Sequence, residues 1–366
     1  MNIISRTLCV EIDLYTKLTA LLKIGVLSVI AIYSAYADVK IVGTTPYTLN
    51  QKSKNPLAPT ADKVIQLMKV ELSDEKKAAL LQQAKDASKH INQFSLNTFN
   101  VNNTVFADKI ELGMNKVPVL DQGQHGTCVT FALTGAMDAV LGKGDYLSQL
   151  CNLQLSAYLY YFGYTDHSAW EGSWAIDVIN QMAQYGVMNK DNQHKEGCGG
   201  YYHYPTNSSH SSYIVPEKFS RLSEPVFGNS MNWSDINVKD NAVQTLDNVK
   251  TALNSGNRVI FGVLLPRIDL GVVGAVGKHN TWFSPDTWLL TDDILKAAPK
   301  AVDGHELIIT GYDDNAVASD NKGVKHKGLL ILRNSWGKWT GDWGDFYMSY
   351  DYFKLLALDV TGIASR

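Results

Sequence analysis

The stretch Gln122-Gly123-Gln124-His125-Gly126-Thr127-Cys128-Val129-Thr130-Phe131-Ala132 constrains this chain more than any other. Two glycines punctuate a turn. From Val129 the apolar positions recur at Ala132, Leu133, Ala136, Met137, Val140 and Leu141, the spacing of a buried helical face, until Gly142-Lys143-Gly144 stops it. A helix is therefore predicted with Cys128 in its first turn. Unpaired backbone N–H groups and the positive end of the helix dipole stabilise negative charge there, which favours thiolate over thiol. Gln122 lies six residues upstream. Its carboxamide N–H, with the backbone N–H of Cys128, is placed to bond an oxyanion forming on an attacked carbonyl.

At 366 residues and 45% apolar content the chain can bury the core of one large or two joined domains, and is neither disordered nor fibrous. A net charge of −3 without long basic runs argues against nucleic acid as a partner, so a partner is expected in a cleft. The N-terminus has Lys17 and Lys23, an apolar run Ile24–Ile32 and then Ala35-Tyr36-Ala37. That order predicts a secretory signal peptide over residues 1–37, cleaved before Asp38, although Glu11 and Asp13 are unusual in a basic leader. The run is short for a bilayer span, and an uncleaved anchor is the alternative. The mature protein is expected to be secreted, or periplasmic or lysosome-like, and off the membrane.

Of four cysteines, Cys9 leaves with the leader, so Cys128, Cys151 and Cys198 remain. In an oxidising compartment one bridge and one free thiol is the simplest outcome, and Cys128 has the reason to stay free. A Cys151–Cys198 disulfide is predicted, with three reduced, buried cysteines as the alternative.

Gly43 to Thr60 reads as a loop. A helical hairpin is expected over 60–89, its first arm carrying Val64, Leu67, Met68 and Leu72 and its second Leu80, Leu81, Ala84 and Ala87. Ile91 to Val101 reads as extended; on its residues alone it is either core or a removable pro-segment. Helices are expected over 155–161, 173–185 and 247–254, long loops or an insertion over 187–240, and a strand over 258–265. Gly304–Tyr312 and Gly328–Trp336 read as antiparallel strands joined by a loop over Asp313–Lys327. Setting Tyr312 opposite Lys327 sets His305 opposite Asn334.

Cysteine, histidine and a carboxamide suffice for acyl transfer: thiolate attacks, imidazolium protonates the leaving amine, and the amide orients the ring. The order Cys128, His305, Asn334, with cysteine near the start of the mature region, resembles the papain-like cysteine peptidases of cathepsin type over about residues 110–355. The resemblance implies an α+β, two-lobe fold: a helical left lobe, an antiparallel β right lobe and an active-site cleft between them. It implies Cys128 as nucleophile, Gln122 as oxyanion donor, His305 and Asn334 as its partners, and Trp336 as the shield of the His–Asn bond. It also aligns Gly172 and Ser173 with cleft residues that bond substrate backbone. Glu306 falls in the lining of the main specificity pocket, where it either selects a basic side chain or points into solvent.

Two departures stand out. Where family members carry two bridged cysteines, this chain has His125 at one position and Trp170 at the other, so both halves are missing together, and Val129 replaces the usual aromatic after the nucleophile. The family's N-terminal inhibitory segments suggest that residues 38–105 form a pro-segment, ahead of a peptidase domain over 106–366 with a helical lobe at about 120–235 and a β lobe at about 236–366. The function expected is a secreted cysteine peptidase acting on a polypeptide in its cleft, made as a precursor inhibited by its own N-terminal segment. An inactive peptide- or host-protein-binding relative and a thiol transpeptidase are the alternatives. No cofactor is expected. His125, His203, His210, His279 and His326 stand in loop-like sequence without ligand spacing and read as solvated, so no metal is expected.

Overall fold

The computed structural model describes residues 38–49, 61–90, 106–208, 211–268, 272–273, 286–320 and 322–366. The leader, the stretch Ile91–Val101, His210 and His279 lie outside the described residues. In chain order the elements begin with strands β1 (Val39–Leu49) and β2 (Lys63–Leu72), helix α1 (Asp74–His90) and strand β3 (Lys109–Glu111). Five helices follow: α2 (Cys128–Leu141), α3 (Gln149–Tyr161), α4 (Ala175–Tyr185), α5 (Lys190–Glu196) and α6 (Pro216–Leu222). Then come β4 (Met231–Asp235), α7 (Ala242–Asn254), β5 (Arg258–Leu264), β6 (Val272–Val273), β7 (Thr287–Trp288) and α8 (Asp292–Ala297). Strands β8 (Asp303–Ser319), β9 (Lys325–Arg333) and β10 (Asp345–Ser349), helix α9 (Tyr350–Leu356) and strand β11 (Ala357–Ser365) complete the chain.

The architecture is α+β. The sheet runs β4-β11-β5-β8-β9-β10-β7-β6, antiparallel except between β7 and β10. Helix α2 lies between the sheet and the helical layer, against β5, β8 and β11 on one side and α3 and α4 on the other. It is consequently buried all round from Cys128 to Ala139, not along one face as its periodicity predicted. Gly142, at φ 67°, ends it in the left-handed conformation that suits glycine.

The β8–β9 pair forms, but not in the predicted register. Tyr312 faces Leu330, and most of the expected loop is strand, interrupted by irregularities between Ile309 and Gly311 and between Asp313 and Val317. Both irregularities pass over more residues on β8 than on β9 and so shift every pair beyond them. Ile308 pairs with Arg333, which carries His305 toward Trp336 instead of Asn334.

The N-terminal unit also differs. Residues 43–49 of the expected loop and the expected helical first arm are strand: residues 39–49 and 63–72 pair antiparallel, and only the second arm, α1, is helical, while 50–60 lie outside the described residues. The alternation was present in the sequence, since Met68, Val70 and Leu72 are buried while Lys69 and Glu71 are exposed. Apolar pairs at 67–68 and 64–65 gave it a helical look. The 187–240 region is less irregular than expected, holding α5, α6 and β4. Two histidines read as solvated are not: His326 is buried on β9, bonded to Asp351, and His125 packs against aromatic rings.

Cys151 on α3 and Cys198 just after α5 form the predicted disulfide, with Cα atoms 5.1 Å apart, and Cys128 is free. The bridge closes a separation of 47 residues. Loop-closure entropy then assigns it about 4 kcal/mol. The Cys151→Ser/Cys198→Ser double variant should lose stability of that order in urea unfolding; an unchanged midpoint would show that the bridge carries no stability.

Candidate active site

Cys128 opens α2, and its sulfur lies within reach of the backbone N–H groups of Glu306, Val129 and Cys128 itself. Glu306 directly follows His305 on β8, so thiol and imidazole come from adjoining positions across the α2–β8 contact. The thiol is fully buried. Burial, and then the charge of Glu306, push its pKa up from 9.0 to about 12, against the pull of the three N–H groups.

Asn334 follows the end of β9. Its Oδ1 receives both His305 Nε2, at 2.8 Å, and the Ser335 backbone N–H, at 2.7 Å. An atom approached by two donors is the carboxamide oxygen, so Nε2 carries the proton and neutral His305 presents an unprotonated Nδ1. That Nδ1 has no hydrogen-bond partner among the described residues. Trp336 stacks on the imidazole, with ring centroids 4.7 Å apart, and Phe346 and Trp288 pack behind it. Burial lowers the His305 pKa from 6.5 to about 4, with the Asn334 bond opposing. Thiol and imidazole are both neutral here at pH 7.

Gln122 precedes the α2 turn. Ser335 Oγ donates to its Oε1 at 2.7 Å, and the Gln122 N–H donates to the Ser335 carbonyl at 2.8 Å, so one residue ties the glutamine to the asparagine segment. Gln122 Nε2 donates to the His125 carbonyl at 2.9 Å and to the Gln66 carbonyl of β2 at 3.2 Å. The N-terminal hairpin thus reaches the glutamine. It also crosses from one layer to the other: a Cβ on Gly172 would meet Ile41 and Met68, and one on Gly126 would meet Thr44. On the sheet side Met68 and Lys69 pair with Gly304 and Asp303, and the Val70 N–H donates to the Val302 carbonyl at 2.7 Å. Gly172 has φ +105°, a conformation that glycine adopts without strain, and Ser173 is buried with its hydroxyl on the Trp174 carbonyl.

Glu306 does not point into solvent; it is 2% exposed. Asp359 of β11 is its buried neighbour across Gly262, whose N–H donates to Asp359 Oδ1 at 2.9 Å. Burial raises both carboxyls, Asp359 from 3.8 to about 6 and Glu306 well above 4.5, with the Asp359 charge adding to the latter. Glu306 Oε1 and Asp359 Oδ2 have no partner among the described residues. Neither Asp359 nor Ser335 was singled out by the sequence. Ser335 sits inside the Asn334–Trp336 stretch and was legible in principle, whereas Asp359, 53 positions beyond Glu306, needed the β5–β11 pairing.

His125 and Trp170, read as standing where the resembled family carries two bridged cysteines, are in ring contact, edge to face at 5.1 Å. Tyr204, from the 187–240 region, completes this cluster by stacking on Trp170 at 5.6 Å.

No family model and no curated protein matches the sequence. Among solved structures the chain is similar to xylellain, a cysteine protease from Xylella fastidiosa, at 18% identity over 75% of this chain and 91% of that one, with a TM-score of 0.46. It is also similar to digestive procathepsin L 3 of Tenebrio molitor larval midgut, at 18% identity over 77% and 78% of the two chains and a TM-score of 0.43. A third is the proform of the ragweed pollen allergen Amb a 11, a cysteine protease, at 16% identity over 72% and 67% and a TM-score of 0.44. With scores below 0.5, the functional reading depends on the site's own geometry.

Proposed function

We propose that this chain is a papain-like cysteine peptidase precursor that hydrolyses peptide bonds through a thioester on Cys128 and is held inactive by its own N-terminal hairpin. The observation that carries this is the convergence of a helix-tip thiol, an imidazole fixed by a buried carboxamide and a glutamine amide, from three separated segments. Once the hairpin is displaced, water and substrate reach the site and burial no longer opposes ionisation of the thiol and the imidazole. The Cys128 thiol then passes its proton to His305 Nδ1 and attacks the substrate carbonyl. The oxyanion is received by Gln122 Nε2 and the Cys128 N–H. Imidazolium protonates the leaving amine, water attacks the thioester with His305 as base, and the acid product departs.

In the hairpin-bound form the Gln66 carbonyl takes the Gln122 donor that an oxyanion would need. Gly172, which with Ser173 is proposed to bond substrate backbone, is covered by Ile41 and Met68. Residues 38–105 are the proposed pro-segment and 106–366 the mature peptidase, exported by the leader 1–37. Glu306, with Asp359 beside it, is proposed to select a basic substrate side chain, because two buried carboxylates are stabilised by one cation between them.

Three outcomes test this reading. Cys128→Ala should abolish hydrolysis of a peptide library by protein processed at mildly acidic pH; equal turnover would remove the proposal, and tight peptide binding without turnover in the unmutated protein would favour the inactive relative. Met68→Glu places a charge in the 1%-exposed contact with Gly304 and Gly172. The unprocessed variant should hydrolyse an added peptide at least about tenfold faster than the unprocessed parent, the cost of burying a charge being more than one decade in equilibrium; equal rates would sink the inhibitory role.

The third concerns pH. Because the folded-state pKa of Asp359 is raised from 3.8 to about 6, the native state holds a proton that the unfolded chain has released, and stability is lost as pH rises through that window. Asp359→Asn should therefore be more stable than the parent at pH 7, by on the order of 3 kcal/mol, with the difference vanishing below about pH 4. A gain independent of pH would contradict the assignment.

A further inference from the structure

Thr127 holds the N-cap position of α2 yet makes no capping hydrogen bond. A threonine there ordinarily accepts from a first-turn backbone N–H with its own backbone extended, but Thr127, at φ −96° and ψ 14°, is not extended. Its hydroxyl is instead 2.9 Å from the Tyr204 hydroxyl, which donates to the Gln122 carbonyl at 2.8 Å. Tyr204 has one proton to give, so Thr127 is the donor in the first bond, and the run is Thr127 to Tyr204 to Gln122. The same segment grips the turn elsewhere. The Gln124 N–H donates to the Thr206 carbonyl at 2.9 Å, His125 Nε2 lies 2.6 Å from the Pro205 carbonyl, and a Cβ on Gly123 would strike the Thr206 carbonyl at 2.0 Å. The Tyr204 ring is clamped by Trp170, stacked 8° from parallel, and by Phe131 at 4.9 Å.

We propose that Tyr204 is a positioning residue for the reaction: its hydroxyl accepts from Thr127, the residue before the nucleophile, and donates to the Gln122 carbonyl, and so holds the two oxyanion donors, the Gln122 amide and the Cys128 N–H, in fixed relation across the turn. This rests on the peptidase reading. The segment after α5 is accordingly part of the catalytic apparatus, bracing the turn at the place where His125 and Trp170 are in ring contact.

The test is Tyr204→Phe, which removes the hydroxyl and keeps the stacked ring. In the processed protein kcat on a peptide substrate should fall about tenfold with KM nearly unchanged, because the lost contact serves the transition state. Inhibition by a peptide aldehyde, whose hemithioacetal oxygen sits where the oxyanion does, should weaken by a similar factor, while iodoacetamide alkylation of Cys128, which builds no oxyanion, keeps its parental rate. A purely structural tyrosine would lower the melting temperature and move neither kcat nor aldehyde affinity. Parental kcat and aldehyde affinity in Tyr204→Phe would overturn the proposal alone. A parent that hydrolyses nothing would overturn the peptidase reading, and this proposal with it.

Discussion

A buried hydrogen bond between His305 and Asn334, 29 positions apart, is the contact that the other features serve. It fixes which imidazole nitrogen holds a proton, and thereby makes the other the acceptor that a thiol needs. In water such a bond would be worth little. Beneath Trp336, with Trp288 and Phe346 behind, it is shielded from competing solvent, and both partners are held at nearly full burial. The Ser335 N–H on the same oxygen prevents the carboxamide from turning over, and the Ser335 hydroxyl carries that order on to Gln122. One tripeptide, Asn334-Ser335-Trp336, thus orients the proposed base, shields it and places the proposed oxyanion donor.

Dryness has a second effect. A helix terminus stabilises a thiolate by up to about 2 kcal/mol. Raising the Cys128 pKa from 9.0 to about 12 opposes it by on the order of 4 kcal/mol, so burial wins while the hairpin is in place. His305, lowered to about 4, cannot hold the proton that the thiol would release. In the proposed scheme latency is electrostatic as well as steric: the same strand that covers Gly172 and occupies Gln122 excludes the water that ionisation requires. Opening the cleft then switches on binding and nucleophilicity together.

The order of Cys128, His305 and Asn334, the free thiol and the Cys151–Cys198 bridge were all legible, because each rests on residue type and local context. The β8–β9 pairing was legible as a pairing and not as a register, since bulges at 309–311 and 313–317 leave no mark that alternation can detect. His305 still meets Asn334 because a side chain reaches diagonally across a position or two, so the site tolerated an error that the ladder did not. The first arm of the N-terminal unit was misread for a related reason. Its strand character comes from pairing with β1 and, at Gly304, with β8, partners that a local pattern does not contain. Asp359 and Tyr204 were invisible for want of any local signature: one is a lone acid on the last strand, the other a tyrosine in an irregular segment rich in them.

The central claim is that the Cys128 sulfur becomes covalently acylated with His305 at its side. It is tested most directly by mixing processed protein with an activated peptide ester, quenching in acid within milliseconds to seconds, and mapping the adduct by peptide mass spectrometry. The account predicts an acyl group on the peptide carrying Cys128, cleaved by hydroxylamine as a thioester is. Turnover of the ester with no adduct on Cys128, and undiminished after that thiol has been alkylated, would contradict it.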